Sequence, residues 1–557
     1  MKRRTLRLAR RTAAHLARCI VVCFTLAAAS SALAQKDPAT RLLEEQRDQL
    51  RQQDLGRPQP PHALSPARPE LDANPGDVAE IGLLVQDPVI SVDGAGLLSP
   101  AVVEATVSPF VSLPLGERRL ELLLRRLDAR LVEAGYITSH AVLEDASTRT
   151  GQIRIAVRPG TVESIRKRGE PASTGLERAF PLGTGDVLRL AEVEQGIHQI
   201  NRLRLYQAQV NIRSGQSPAT SVLDLVLDVG KPWHASIGAD NQGSRATGAN
   251  RVRAGLAIDD ALGMLDALQL LGLASSDSRA AFASLALPQG FNTWSLTASA
   301  SQSEQRLPAD LESRSTSWTA LAGWNRVLLL AAEGRDSVDV SLSRSRAGRR
   351  IEGVALAANH LAVLRGAINH LRKSDWVQWY VEPALSAGLP ILGAQRDRAE
   401  IERRDAHAQF VKATLAAGVV SGLASGTAEL AIQVNAQSSR VSLYGQEQIS
   451  LGGLSTVRGF REGVLAGDNG YLVRSELRLP RVVDLTLARG RPVPYVHLDH
   501  GSAWLAQADH QHLTGSGVGL RWAGGGATIE AVASRAIAGP DALRDGWQFH
   551  LALGFEI

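Results

Sequence analysis

The sequence predicts a transmembrane β-barrel of about 16 antiparallel strands, preceded by two small α+β units and an N-terminal helix. Three observations carry that prediction. The 327 residues from Lys231 to Ile557 are a succession of short runs that alternate apolar and polar side chains, separated by Gly, Asn, Asp and Ser. The chain opens with an export signal. Downstream of it no segment approaches the ~18 consecutive apolar residues of a transmembrane helix, so a membrane position has to be held by strands closed on themselves.

The signal is residues 1–34. Lys2, Arg3, Arg4, Arg7, Arg10, Arg11 and Arg18 precede an apolar run from Cys19 to Ala29, and Ala32-Leu33-Ala34 supplies the small residues needed for cleavage before Gln35. Val22 before Cys23 is too large for lipoprotein processing. Removing the signal takes 7 of the 61 Lys+Arg and none of the 56 Asp+Glu, leaving 54 against 56. The basic balance of the whole chain therefore says nothing about nucleic acid, and no basic block with interleaved aromatics points there. Both cysteines leave as well, which excludes disulfides and thiolate metal sites from the mature chain.

Residues 35–55 contain a helix-forming run, Ala39 to Asp54, free of Gly and Pro and with Leu42, Leu43 and Leu50 as its large apolar residues. At ~1.5 Å per residue it is roughly 24 Å long, close to the ~25 Å apolar height of an outer-membrane barrel. It fits a plug in a polar lumen; a solvated helix or a disordered tail has the same composition. Residues 56–77 hold six prolines and read as an extended linker.

The first α+β unit, 78–158, has Leu120, Leu123, Leu124, Leu127 and Leu131 at helical spacing, Gly135 as the helix stop, and Ile153, Ile155 and Val157 alternating along a strand. The second, 159–230, has Val193, Ile197, Ile200 and Leu203 on a helix and Leu223, Leu225, Leu227 and Val229 on one strand face. These stripes are cores; the functional part of such a unit is an open sheet edge that accepts an added strand.

In the barrel region the last run is the cleanest. Trp547, Phe549, Leu551, Leu553, Phe555 and Ile557 alternate with smaller or polar residues, as a strand between lipid and lumen requires. Ser455-Thr456-Val457-Arg458-Gly459-Phe460 places a cation beside a glycine in a loop, and Leu498-Asp499-His500-Gly501 follows on a later strand. A cation and an acid so placed fit an interior pair of a transport pore. No G-x-S-x-G, GxxxxGK[ST] or H-E-x-x-H motif is present. His497/His500 and His510/His512 have spacings a metal accepts, but they fall around a strand and a loop. No enzyme activity, metal or cofactor is expected.

The order of these segments resembles the outer-membrane transporters of two-partner secretion, the TpsB family of haemolysin and filamentous-haemagglutinin exporters. The resemblance spans the mature chain. It rests on Glu133-Ala134-Gly135-Tyr136-Ile137, Val193-Glu194-Gln195-Gly196 through Asn201-Arg202-Leu203, Lys231-Pro232-Trp233 with Asp240-Asn241-Gln242-Gly243-Ser244, Val457-Arg458-Gly459-Phe460, Gly467-Asp468-Asn469-Gly470-Tyr471 and Asp499-His500-Gly501. It implies POTRA domains in the periplasm at 78–158 and 159–230, a barrel at 231–557 in the outer membrane, and a loop folded into the lumen. Val457, Arg458, Gly459 and Phe460 form its tip, and Arg458 meets Asp499, near Gly501, on the inner wall. In a wet lumen such a pair contributes about 1 kcal/mol, and more if desolvated.

The partners implied are a secreted exoprotein (a TpsA-like adhesin, cytolysin or toxin), outer-membrane lipid, and the barrel assembly machinery during biogenesis. A barrel-inserting factor of the same superfamily is the competing expectation. Two departures from the family pattern are the run Tyr495-Val496-His497-Leu498 before Asp499, where an aromatic tends to precede the acid, and Ile557 in place of a terminal aromatic, with Phe555 on the same face.

Overall fold

The computed structural model describes residues 38–56, 74–80, 84–94, 96–307, 310–331, 333–423, 426–482, 486, 490–506 and 509–557. The export signal, both cysteines and most of the Pro-rich linker lie outside the described residues.

The first α+β unit is a three-stranded sheet covered by two helices. Val89–Asp93 pairs in parallel with the central strand Gln152–Arg158, which pairs antiparallel with His140–Ala146. The helix Glu117–Glu133 buries Leu123, Leu127 and Leu131 against Ile153, Ile155 and Val157, while Leu120 and Leu124 are half-buried at its margin. Gly135 follows the helix end with φ +89, the left-handed stop read from the sequence. A second helix, Pro100–Val111, has no counterpart in the leucine pattern; Ser99 caps it, Pro100 starts it, and Phe110 fills the core.

The described residues of this unit begin at Asn74, inside the segment expected to be linker. Pro75 is buried, and its carbonyl accepts from Arg119 Nε at 2.9 Å. Glu80 then caps the Glu117 helix, accepting from the N–H groups of Gly116, Arg118 and Arg119 at 2.9–3.1 Å. A carboxylate on three free helix N–H groups is a strong local anchor, and it draws the end of the linker into the unit.

The second unit has a four-stranded sheet in the order Glu170–Pro171, Thr161–Lys167, Thr220–Val229, Tyr206–Ser214, with helices Thr174–Ala179 and Leu190–Asn201. Val193 and Ile200 are buried and Ile197 half-buried; Leu203 is buried too, but just beyond the helix end. Leu223, Leu225 and Leu227 face the core, whereas Val229, expected with them, is exposed because the strand has by then run past the packed helices.

Sixteen antiparallel strands, from Trp233–Asp240 to Gln548–Glu556, close into a barrel; the two-residue piece Val354–Ala355 only extends the end of the strand Gly334–Ile351. Trp294, Leu296, Leu385, Val518, Phe549, Leu551 and Phe555 are exposed on the outer wall, where lipid covers them. No described helix is long and apolar enough to cross a membrane. The closing ladder between Gln548–Glu556 and Trp233–Asp240 registers Ala552–Glu556 against Asp240–Ser236. Asn241 lengthens it with its side chain, donating to Phe549 O at 3.0 Å and accepting from Leu551 N at 2.8 Å. Ile557 contributes through its backbone, which bonds with Ala235 in both directions.

The barrel and the second unit are locked together. The barrel turn between Arg251–Asp259 and Ala267–Ser275 inserts Leu265 into that unit's core, at 1% exposure. Gln195 and Gln199 both donate to Gly290 O at 2.9 Å, Arg202 donates to Leu265 O at 3.0 Å, and Tyr206 OH donates to Asp260 at 2.7 Å. The motif residues Gln195 and Arg202 thus serve the junction rather than the interior of the unit.

Candidate functional site: the loop and helix inside the lumen

The connection from Ala428–Ser439 to Asn469–Arg478 folds into the barrel. Asp468 secures its base, accepting from Leu443 N at 2.8 Å, Gln448 Nε2 at 3.0 Å and Ala506 N at 3.0 Å, while Asn469 accepts from Ser439 N at 2.8 Å. A short hairpin, Ile449–Leu451 with Leu465–Gly467, carries the loop inward.

At the tip the structure brings Arg458 and Asp499 together. Arg458 Nε donates to Asp499 Oδ2 at 2.6 Å, Nη2 to Oδ1 at 2.7 Å, and the Arg458 backbone N–H to Oδ2 at 3.1 Å. The remaining arm, Nη1, donates to Glu476 Oε1 at 2.6 Å. The Arg458 side chain is 1% exposed and Asp499 0%. Of the two cases the sequence left open, wet or desolvated, the structure has the desolvated one: a two-pronged pair from which the loop itself excludes water. Removing one partner of such a pair strands a buried charge and costs about 3–5 kcal/mol.

The neighbours give the tip its shape. Gly459 has φ +94, and a Cβ there would lie 2.5 Å from the Arg535 carbonyl carbon. Gly515 on the facing strand would put a Cβ 1.8 Å from Arg458 O. Both are glycine because backbone meets backbone at this contact. Val457 and Phe460 are buried with Leu451, Leu465, Leu472, Leu513 and Ala536. Gly501 lies beneath them; a Cβ there would meet Val457 at 3.2 Å and Leu451 at 3.0 Å.

Sequence reasoning missed the rest of the network. Arg521 grips Glu476 with two arms at 2.7 and 3.0 Å, reaches Glu530 at 2.8 Å and lies over the Tyr495 ring at 4.3 Å. Arg478 bridges Glu476 and Glu429, and Arg474 donates to the Ser455 and Leu454 carbonyls of the loop. Their signal was the inward parity of Arg474, Glu476 and Arg478 with Asp499, legible once Arg474 is registered against Asp499. Within the run that departs from the family pattern, Tyr495 and His497 place both rings on that inner face, where each is buried. Among the described residues the histidines spaced for a metal join no group of three candidate ligands: His500 bonds to Tyr471 and Thr514 with the His512 ring 6.4 Å away, and His510 stacks on Trp504.

The helix Pro38–Gly56 lies in the lumen, longer at both ends than the Ala39–Asp54 run. Near its C-terminal end Arg51 holds Glu382 on the wall with Nε–Oε2 at 3.0 Å and Nη2–Oε1 at 2.6 Å, beside Arg365 on the same carboxylate. Near its N-terminal end Arg41 pairs with Glu462 of the inward loop. Between them Leu43 packs on a patch of Leu273, Ala280 and Phe282. A cavity of about 240 Å³ beside Arg41, lined by Ser301, Ser303, Ser317 and Gln446, remains in the lumen.

Comparison with known proteins agrees with this architecture. The family model described as haemolysin secretion/activation protein ShlB/FhaC/HecB matches residues 219–522, and POTRA models, one of them of the ShlB type, match 89–160 and 161–214. The outer membrane transporter CdiB of Escherichia coli is 28% identical over 482 residues, covering 82% of this chain and 80% of the relative. The hemolysin transporter protein ShlB of Serratia marcescens is 28% identical, covering 78% and 77%. The solved structure of CdiB from Escherichia coli superposes with a TM-score of 0.81 at 26% identity, covering 94% of this chain and 99% of that one. With its two POTRA domains, its 16-stranded barrel and the family model matched over more than half its length, this chain belongs to the ShlB/FhaC/HecB family of outer-membrane secretion proteins.

Proposed function

We propose that this protein is the outer-membrane pore of a two-partner secretion pair, passing an unfolded exoprotein from the periplasm to the cell surface without nucleotide hydrolysis. The observation that carries the reading is the filling of the lumen: one loop anchored by buried charge, and one polar helix clasped at its ends and tied by a linker to the capture domains. In this reading residues 35–55 are the plug, 56–77 the linker, 78–158 and 159–230 the capture units, and 231–557 the pore.

The client adds a strand at an open sheet edge such as His140–Ala146, whose outer side is unpaired among the described residues. The helix leaves the lumen, the client threads past the tip at Arg458, and folding outside the cell gives the movement its direction. The client is a large adhesin, cytolysin or contact-dependent toxin, and relatives named as hemolysin transporters favour the cytolysin among these. The barrel-inserting alternative draws on BamA from Haemophilus ducreyi, a likeness of 13% identity and TM-score 0.51 that supports the fold alone.

Quantitative mass spectrometry of supernatant, cell surface and outer membrane, with and without the gene, tests the choice. Selective loss of one large exoprotein is expected. A general fall in barrel proteins would replace the secretion pore with an assembly factor.

A further inference from the structure

We infer that the outer wall of the barrel carries a binding site for the phosphorylated headgroup of an outer-leaflet glycolipid, built around Arg346 and Arg350. On the strand Gly334–Ile351 the residues sharing the outward face of exposed Val340 run Asp336, Val338, Val340, Leu342, Arg344, Arg346 and, after Gly348, Arg350. From Asp336 to Arg344 the stretch is apolar. Eight residues at ~3.4 Å make about 27 Å along the strand, or roughly 20 Å along the membrane normal at a ~40° tilt, close to the ~25 Å apolar band of such barrels. One strand therefore marks both edges of the lipid.

The two edges are treated differently. At the periplasmic edge the charges are matched: Asp336 accepts from Arg372 at 2.8 and 3.0 Å and lies 2.7 Å from His370 Nδ1. At the extracellular edge they are not. Arg344 is used by the wall itself, donating to the Leu392 and Gly393 carbonyls at 2.8 Å. Arg346 is exposed, directly opposite Trp318 on one neighbouring strand and His360 on the other. Arg350 is exposed and directly opposite Arg314, which already pairs with Glu304 at 2.6 Å. Among the described residues no carboxylate pairs with Arg346 or Arg350.

Like charges in direct register repel, and unmatched cations on a lipid-facing wall need an anion at the boundary. A phosphate meets the planar guanidinium forks, and Trp318 supplies the amphipathic ring that belongs at headgroup depth. A phosphorylated glycolipid supplies the anion with an acyl anchor that lies along the apolar rows below.

The test uses the full-length protein in nanodiscs containing deep-rough lipopolysaccharide, with retained lipid counted by native mass spectrometry. Each arginine at an anionic surface is worth about five-fold in binding, so the double variant R346Q/R350Q is expected to retain at least about ten-fold less. Arg404→Gln, an exposed arginine paired with Glu402 in an extracellular loop, is expected to change nothing. Phosphatase-treated lipopolysaccharide is expected to bind the wild type about ten-fold more weakly, an arm that stands even if the double variant fails to insert. Equal retention of treated and untreated lipid, or full retention by an inserted double variant, would overturn the site. Protection by inorganic phosphate alone would reassign it to free anions and overturn the lipid.

Discussion

The loop tip and the lumen helix occupy the same barrel interior, and both are held by arginines on carboxylates, but they are held in different ways. Arg458 makes three bonds to Asp499 and one to Glu476 at 1% exposure, inside an apolar cluster. Arg41 and Arg51 keep 19% and 15% exposure, beside polar wall and open cavity, with Leu43 as the helix's contact to a small apolar patch. Both partners of the first contact are closed to solvent, whereas each arginine of the second keeps partial exposure, although Glu382 is itself buried. A fully desolvated pair is costlier to break than one whose arginine stays partly exposed. Under the proposed function, this difference would separate a fixed constriction from a removable stopper.

The comparison breaks first at the tip. Arg458→Ala or Asp499→Ala is expected to destabilise loop docking by about 3–5 kcal/mol and to lower secretion at least ten-fold, by roughly the equivalent of 1.4 kcal/mol or more, while the barrel stays inserted. Client yield beside heat-modifiable migration of the barrel measures both, and wild-type secretion by either variant would remove the assigned role. Leu265→Ala comes next, at about 2–4 kcal/mol, expected as faster protease cleavage between the second POTRA unit and the barrel; unchanged cleavage would mean the turn is not a structural insert.

The helix sharpens the contrast. Deleting Ala39–Asp54 is expected to raise conductance in planar bilayers, and Arg51→Ala to raise it less. Because the Debye length falls from ~10 Å at 0.1 M to ~3 Å at 1 M salt, wild-type openings are expected to become more frequent with salt. Openings that ignore both salt and deletion would mean that the helix is no stopper.

The smallest effect lies in the second POTRA unit. The Glu163 carboxyl is held below the ordinary range by the Thr220 hydroxyl and the N–H groups of Gln216 and Ser217. A lowered folded value stabilises above the ordinary carboxylate range and loses its contribution as pH falls below that range through the folded value. Protection of residues 215–220 from hydrogen exchange, taken relative to the intrinsic rate at each pH, is expected to fall there in the wild type and to be less pH-dependent in Glu163→Gln.

Much of this was legible because period and parity are local. Alternation gave the terminal strand Gln548–Glu556, leucine spacing gave the helix Glu117–Glu133, and Val457-Arg458-Gly459-Phe460 with Asp499 gave the centre of the site. What escaped depends on register. Arg521 and Glu476 are 45 residues apart and meet only across the inner wall. Val229 shares the pattern of Leu227 but lies beyond the helices that cover the core. The helix Pro100–Val111 announced itself through Ser99-Pro100, yet Pro109 and its β-branched residues blurred the period. That Arg458 is dry could not be read from composition, since dryness depends on what the loop covers.

Leu265 sits at one end of a hairpin whose other end borders the helix. The strands Arg251–Asp259 and Ala267–Ser275 reach from the core of the second POTRA unit to Arg251 and Leu273, which line the space around Pro38 and Arg41 with Thr247. In mechanical terms the hairpin is a strut pinned in the second POTRA unit and braced against the N-terminal end of the lumen helix. A load applied to that unit has a continuous solid path to the helix inside the barrel.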